Sequence, residues 1–128
     1  MCEYCGCRDL PLIGRLSEEH YLAVDGLGEV RRAIAGGDPA TVADALARFA
    51  TELFEHNDSE EAGLFHELGQ DDYFAPTVAE LVAQHVTFRA LVARIGSGDW
   101  AAYRELEELL RGHIDKEENG LFPATAVA

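Results

Sequence analysis

The sequence predicts an all-α protein, folded as an up-down-up-down antiparallel four-helix bundle. Four successive segments carry an apolar residue every three or four positions, which is the spacing of one helix face. The four prolines and several of the glycines fall at the borders of these segments and leave only short connections, as is typical of antiparallel neighbours. No segment alternates with a period of two, so strands are not expected. The predicted helices are 11–35, 39–68, 76–95 and 100–122.

The segment borders carry helix start and stop signals. Asp38 followed by Pro39 is typical of an N-cap and a first helical residue, since proline there loses no needed N–H. Asp99 is expected to cap the fourth helix in the same way, and Pro76 to open the third. The breaks between helices are predicted at Gly36-Gly37, Gly69 and Gly96-Ser97-Gly98.

Composition bounds the class of protein. The chain has 128 residues, enough for one domain with its own core. Its 24 acidic residues against 10 basic ones give a net charge of −14, which disfavours binding to nucleic acid or to an anionic membrane surface. No apolar run approaches the roughly 18–20 residues of a membrane span, and no signal segment is expected. The sequence therefore predicts a small acidic soluble domain.

The three cysteines all precede the first predicted helix. Cys2, Cys5 and Cys7 lie too close together to crosslink the fold, which favours a reducing, cytoplasmic compartment. They could bind a metal, act as a redox pair through a Cys2–Cys5 or Cys5–Cys7 disulfide, or belong to an arm with no site. The expected organisation is a Cys-rich arm at 1–10, the bundle at 11–124 and a tail at 125–128.

Six ionisable residues interrupt the apolar face of the four helices. A buried, unpaired carboxylate costs several kcal/mol, so something must satisfy these groups. Counting along each helix from its nearest turn at 1.5 Å per residue places all six in one layer of the bundle. Imidazoles and carboxylates that converge from four helices indicate a metal site. The candidate ligands are His20, His56, Glu60, His85, His113 and Glu117.

A short internal repeat contains two of the histidines and both glutamates. Residues 56–65 are HNDSEEAGLF and residues 113–122 are HIDKEENGLF, so seven of ten positions are identical. Each copy places a histidine and a glutamate four residues apart, on one helix face. Two such pairs across a bundle can hold two metals bridged by two carboxylates, with iron, zinc or manganese as suitable ions. Ferritin-type diiron bundles use Glu-x-x-His instead, which argues against that family.

The full pattern resembles the hemerythrin-like (HHE cation-binding) domain family. It comprises His20, His56-x-x-x-Glu60, His85 and His113-x-x-x-Glu117, followed by Glu118-Asn-Gly-Leu-Phe-Pro123, and the resemblance covers about residues 11–124. It implies a four-helix bundle around two non-haem iron ions. The four histidines would be terminal ligands, and Glu60 and Glu117 would be bridging ligands. An oxo or hydroxo group would form the third bridge.

The same resemblance implies a range of activities. They include reversible dioxygen binding, sensing of oxygen, iron or redox state, and reaction with peroxide or nitric oxide, including catalase- or peroxidase-like turnover. The redox partner is not identified by the sequence.

The sequence departs from the oxygen-carrier pattern at two places. Oxygen carriers have two histidines four residues apart on the third helix, whereas the residues four positions before and after His85 are Leu81 and Arg89. Oxygen carriers also use His-x4-Asp on the last helix, where this chain has His113-x-x-x-Glu117. A fifth imidazole is therefore missing, and either a position is open or Glu19, Glu61 or a tyrosine fills it. An open position would admit a small oxidant, which favours sensing or detoxification. The alternatives are a non-catalytic iron-buffering or zinc-binding module and a simple oxygen carrier.

Several other residues are given structural interpretations. His66 is expected at the surface, and Glu61 and Glu118 either in solvent or supporting a histidine ligand. Gly63 and Gly120 each follow a candidate bridging glutamate by one turn, where close packing or ligand access would favour glycine. Packing roles in the core or at helix ends are expected for Tyr21, Phe49, Phe88 and Trp100.

Overall fold

The computed structural model describes residues 11–127, and it confirms the predicted helical bundle. Four long helices pack in pairs, the first on the second and the third on the fourth, with further contacts between the pairs. No strand occurs in the described part of the chain. The helices are α1 (Pro11–Gly36), α2 (Pro39–Ala62), α3 (Leu64–Leu68), α4 (Ala75–Gly96), α5 (Ala102–Lys116) and α6 (Phe122–Val127), and a π-helical segment (Glu117–Leu121) joins α5 to α6.

The turn between α1 and α2 forms as the sequence predicts. Gly37 has φ +78°, a left-handed conformation that glycine adopts without steric cost. Asp38 is the N-cap of α2, and its carboxylate accepts hydrogen bonds from the Thr41 backbone N–H at 3.2 Å and from the Thr41 hydroxyl at 2.7 Å. The hydrogen bonds with Thr41 lower the pKa of Asp38. This turn fixes α1 against α2, and therefore His20 against His56.

Two predicted helices are interrupted, both within the repeat. The segment 39–68 breaks at Gly63, whose φ of −109° and ψ of −93° are not helical, so α2 ends at Ala62 and α3 follows. The segment 100–122 is α-helical only to Lys116 and then continues as the π-helical segment. Local apolar periodicity does not detect either change, because a break at one residue and a single π-helical segment alter the apolar spacing very little.

The predicted Asp99 cap is wrong. The residue before α5 is Ala101, and no side chain caps the first turn of that helix. The Asp99 carboxylate instead accepts from the Arg94 guanidinium, with its Oδ2 at 2.9 Å from Nη2 and 3.1 Å from Nε. A charge-assisted contact in which one Asp99 oxygen accepts from two Arg94 nitrogens outcompetes a cap, and a turn through Trp100 separates Asp99 from the helix.

The apolar core consists of two clusters on either side of the ionisable layer. Phe49 and Phe88 are fully buried in the larger cluster, and Trp100 packs against it, as predicted. The smaller cluster is formed by the first turns of α1 and α4, by α3 and by the junction of the π-helical segment with α6, and it includes Phe65 and Phe122. Tyr21, however, is 55% exposed, because it lies one residue past His20 and therefore on the outer face of α1.

Helices in residues 11–127 lack the combined length and apolar character that crossing a membrane requires. The cysteine arm predicted at 1–10 lies outside the described residues, as do Cys2, Cys5 and Cys7.

Replacing the α2 cap tests how much the α1–α2 turn contributes to stability. We expect Asp38→Ala to lower the free energy of unfolding by about 1 kcal/mol, because the Thr41 N–H loses its acceptor. Urea denaturation followed by circular dichroism measures it. Asp44→Ala, at an exposed position of the same helix, is the control and should change stability by less than about 0.5 kcal/mol. Equal losses in both variants would contradict the capping role.

Candidate metal centre

The structure brings all six predicted side chains into one buried layer between the two apolar clusters. None of them is more than 4% exposed. The imidazoles of His20 and His56 lie 4.8 Å apart between ring centroids, and those of His85 and His113 lie 5.0 Å apart. Each long helix supplies one histidine to this layer.

Phenylalanines of both apolar clusters pack against the imidazoles. The His20 ring stacks on Phe122 and the His85 ring on Phe65, both at 5.7 Å between centroids. Phe88, of the larger cluster, meets the His113 ring edge-on at 5.0 Å. Three of the four imidazoles are therefore packed against apolar rings that restrict both water and ring rotation.

Each of the two glutamates contacts two histidines, one from the His20–His56 pair and one from the His85–His113 pair. Glu60 Oε1 lies 3.2 Å from His56 Nε2 and 3.4 Å from His85 Nε2. Glu117 Oε1 lies 2.9 Å from His113 Nε2 and 3.4 Å from His20 Nε2. Both carboxylates thus sit between the two histidine pairs, as a bridging ligand would.

Two groups of these residues could hold a metal ion. In each group the potential ligand atoms all lie within 4.8 Å of one another. The first group is His20, His56, Glu60 and Glu117, and the second is Glu60, His85 and His113. Because Glu60 belongs to both groups, the geometry accommodates two neighbouring cations with a shared carboxylate.

Every imidazole of the layer is oriented by a hydrogen bond at Nδ1, on its outer side. His20 Nδ1 lies 3.0 Å from Glu118 Oε1, and His56 Nδ1 lies 2.8 Å from Glu19 Oε1. The Glu118 oxygen also accepts from the Ser17 hydroxyl at 2.6 Å.

The other two histidines have corresponding partners. His85 Nδ1 lies 2.9 Å from Glu61 Oε2, and His113 Nδ1 lies 2.6 Å from Gln84 Oε1. Such contacts fix both the ring orientation and the tautomer of a metal-binding histidine.

The outer contacts determine where the imidazole lone pairs point. A carboxylate only accepts, so Nδ1 must be the protonated nitrogen, and in a neutral ring the Nε2 lone pair then faces the centre. None of the four inner Nε2 atoms has a hydrogen-bond partner, and neither do the four oxygens of Glu60 and Glu117. Eight buried electron-pair donors face one another with no donor hydrogen between them. This arrangement is costly by itself and fits a set of metal ligands.

Ionisation states agree with this role. Burial raises the pKa of Glu60, but hydrogen bonds from the protonated forms of His56 and His85, and the positive charge of His56, outweigh burial and hold that pKa at about 2. Burial lowers the pKa of His113 to about 3. Near neutral pH the structure therefore presents an ionised carboxylate and a neutral imidazole, which are the forms that bind metal.

The structure also locates the residues considered for the missing fifth imidazole. Glu19 and Glu61 reach the outer nitrogens of His56 and His85 and do not face the inner lone pairs. The Tyr103 hydroxyl lies 2.7 Å from a Glu107 carboxylate oxygen, to which it donates, and 3.2 Å from the Leu27 carbonyl oxygen, away from the layer. Tyr21 and Tyr73 are exposed, while Tyr4 lies outside the described residues.

The structure also decides two other assignments. His66 is exposed, as expected. Glu118 is only 8% exposed, and hydrogen bonds from His20 and Ser17 outweigh the effect of burial and lower its pKa. Glu118 is therefore a buried support of His20 and not a solvated residue, because the π-helical segment turns it inward together with Glu117.

The two glycines of the repeat differ in their surroundings. A Cβ at Gly63 would approach the Ser59 carbonyl oxygen to 3.2 Å, so the break there favours glycine through close packing. A Cβ at Gly120 would meet nothing within 4 Å, so close packing does not account for that glycine.

Sequence reasoning missed Asn57. It follows His56, is 1% exposed, and its side-chain nitrogen and oxygen both lack a hydrogen-bond partner. The only available signal was its place at the edge of the apolar stripe of α2, where the second copy of the repeat has Ile114.

Removing the charge of the candidate bridging residue Glu117 distinguishes its effect on the stability of the metal-free protein from its effect on metal binding. We expect Glu117→Gln to raise the free energy of unfolding of the metal-free protein by about 1–3 kcal/mol, because the new amide can donate to the His20 or His113 lone pair. The same variant should gain less stability from added Fe²⁺ than the wild type. Urea denaturation with chelator and with Fe²⁺ under nitrogen measures both effects.

Glu108→Gln is the matched control for that experiment. Its side chain is 72% exposed, so it should leave both quantities unchanged. If the metal-free Glu117→Gln protein is less stable than the metal-free wild type, the Glu117 carboxylate is already compensated by its surroundings, and the expectation is wrong.

Comparison with known families agrees with the geometry. A family model described as hemerythrin HHE cation binding domain matches residues 12–125, nearly the whole chain. Comparison with curated proteins and with solved structures gives no match. The family model spans all four long helices and all six residues of the layer. The chain therefore belongs to the hemerythrin HHE cation-binding domain family.

Proposed function

We propose that the protein holds two iron ions in the buried layer and binds or reacts with a small oxidant there, in sensing or detoxification. The observation that carries this proposal is the placement of Glu60 and Glu117, each between a histidine of one pair and a histidine of the other. Mixed imidazole and carboxylate donors suit iron. Iron bound there would supply reversible one- or two-electron chemistry and an exchangeable position for dioxygen, peroxide or nitric oxide.

The chain's own residues would control access and charge at this centre. Four imidazoles and two carboxylates supply six ligand side chains, and neither Glu19 nor Glu61 adds an oxygen on the inner side. This set supports a position left to an exogenous ligand. The surrounding Phe65, Phe88 and Phe122 would exclude water and favour small, weakly polar ligands.

The acidic surface supports the same choice of ligand. A net charge of −14 repels polyanions, whereas neutral diatomic molecules and hydrogen peroxide are unaffected by it. We therefore propose a small molecule, and not a nucleic acid or a membrane, as the partner of the site. The placement of all three cysteines within seven residues supports a reducing, cytoplasmic compartment.

Metal content and visible absorption test the proposal. Protein loaded with Fe²⁺ under nitrogen should retain two iron ions per chain and develop a charge-transfer band when oxygen or peroxide is added. His56→Ala should lose at least about tenfold in iron affinity, because one pair loses a ligand. His66→Ala is the matched control, since this exposed histidine lies outside both groups of candidate ligands.

Each alternative function gives a different result in that experiment. Zinc retained in preference to iron would support a non-catalytic zinc module. Two iron ions with no new absorption on addition of either oxidant would support iron buffering. A fully reversible oxygen band with no peroxide consumption would support an oxygen carrier. Unchanged metal content in His56→Ala would contradict the site itself.

A further inference from the structure

The four imidazoles of the centre differ in the outer group that accepts their Nδ1 proton. His20, His56 and His85 donate to carboxylates, whereas His113 donates to the neutral Gln84 Oε1. All four contacts are short, between 2.6 and 3.0 Å. The difference is therefore one of charge and not of missing contact.

The charge of the outer acceptor changes how strongly an imidazole donates to metal. A carboxylate draws the Nδ1 proton toward itself and leaves more electron density on Nε2, so the ring becomes a stronger ligand. A neutral amide orients the ring equally well but polarises it less. His113 is consequently the weakest donor of the four.

The outer charges are distributed unevenly between the two histidine pairs. Both members of the His20–His56 pair are backed by carboxylates, and one of these, Glu118, is almost fully buried and held by Ser17. In the His85–His113 pair, Glu61 is the one carboxylate among the outer acceptors in the described part of the chain.

The outer carboxylates also differ in how deeply they are buried. The Glu61 side chain is 41% exposed, against 10% for Glu118. Solvent screens an exposed charge more strongly than a buried one, so the field of Glu61 on its imidazole is the weaker.

We propose that the two halves of the centre are inequivalent, with Gln84 as the positioning residue that sets the difference. The half built on His20 and His56 binds a divalent cation more tightly. The half built on His85 and His113 binds it more weakly and exchanges it first. This inference rests on the proposed function, since it requires that two ions bind.

A titration of the full metal-free chain with Co²⁺, in competition with a chelator, tests the inference. The visible d–d absorption follows each ion as it binds and reports its ligand field. The wild type should bind two ions in separate steps, with dissociation constants about 10–100-fold apart. Gln84→Glu should tighten the weaker step about tenfold and alter its d–d spectrum, while the stronger step changes less.

Two further variants complete the design. Gln70→Glu adds the same charge at an exposed position, where the native amide donates to the His66 carbonyl, and should change neither step. Glu19→Gln makes the opposite change on the tighter half and should weaken the first step about tenfold. It also keeps the inference testable if Gln84→Glu does not fold.

The results separate the inference from the function on which it rests. Two equal binding steps in the wild type, or steps that do not respond to Gln84→Glu and Glu19→Gln, would overturn the inequivalence and leave a two-metal centre in place. Binding that ends at one ion per chain at saturating Co²⁺ would overturn the two-metal function itself.

Discussion

The structure depends on one electrostatic constraint: eight buried electron-pair donors converge in the middle of an apolar bundle without a hydrogen between them. A helical bundle normally gains stability from an uninterrupted apolar core, and this layer divides that core into two clusters. The layer is tolerable in the metal-free fold because four outer hydrogen bonds lock the imidazoles, and because phenylalanine rings pack against them from both clusters. A bound cation would convert the same layer from a cost into a source of stability.

The acidic excess of the chain has two distinct roles. Most of the 24 carboxylates belong to the charged surface that the composition implies. Five belong to the centre: Glu60 and Glu117 on the inner side, and Glu19, Glu61 and Glu118 on the outer side of three histidines. The proposed function therefore depends on a small part of the charge, and on whether each carboxylate faces Nε2 or Nδ1.

The two copies of the repeat show how one sequence pattern serves two local structures. Each places a histidine and a glutamate on the inner face, and each departs from α-helical geometry just after the glutamate, by a break at Gly63 or by the π-helical segment. The π-helical segment buries two consecutive carboxylates, which a regular helix does less readily because successive side chains are rotated by about 100°. Glu118 gains its contact with His20 in this way, whereas Glu61, its counterpart in the repeat, stays partly exposed beside His85.

The sequence by itself determined the all-α class, the four long helices, and the layer in which His20, His56, Glu60, His85, His113 and Glu117 meet. Those features follow from helical periodicity and from counting residues to the nearest turn, both of which are local properties. Only the tertiary structure decided which group accepts each Nδ1 proton, because Glu118 lies 98 residues from His20 along the chain and Gln84 lies 29 from His113. It also decided that Asn57 is buried, which depends on how the helices pack, and that Asp99 binds Arg94 of α4 instead of capping α5, which depends on competition between the two helices.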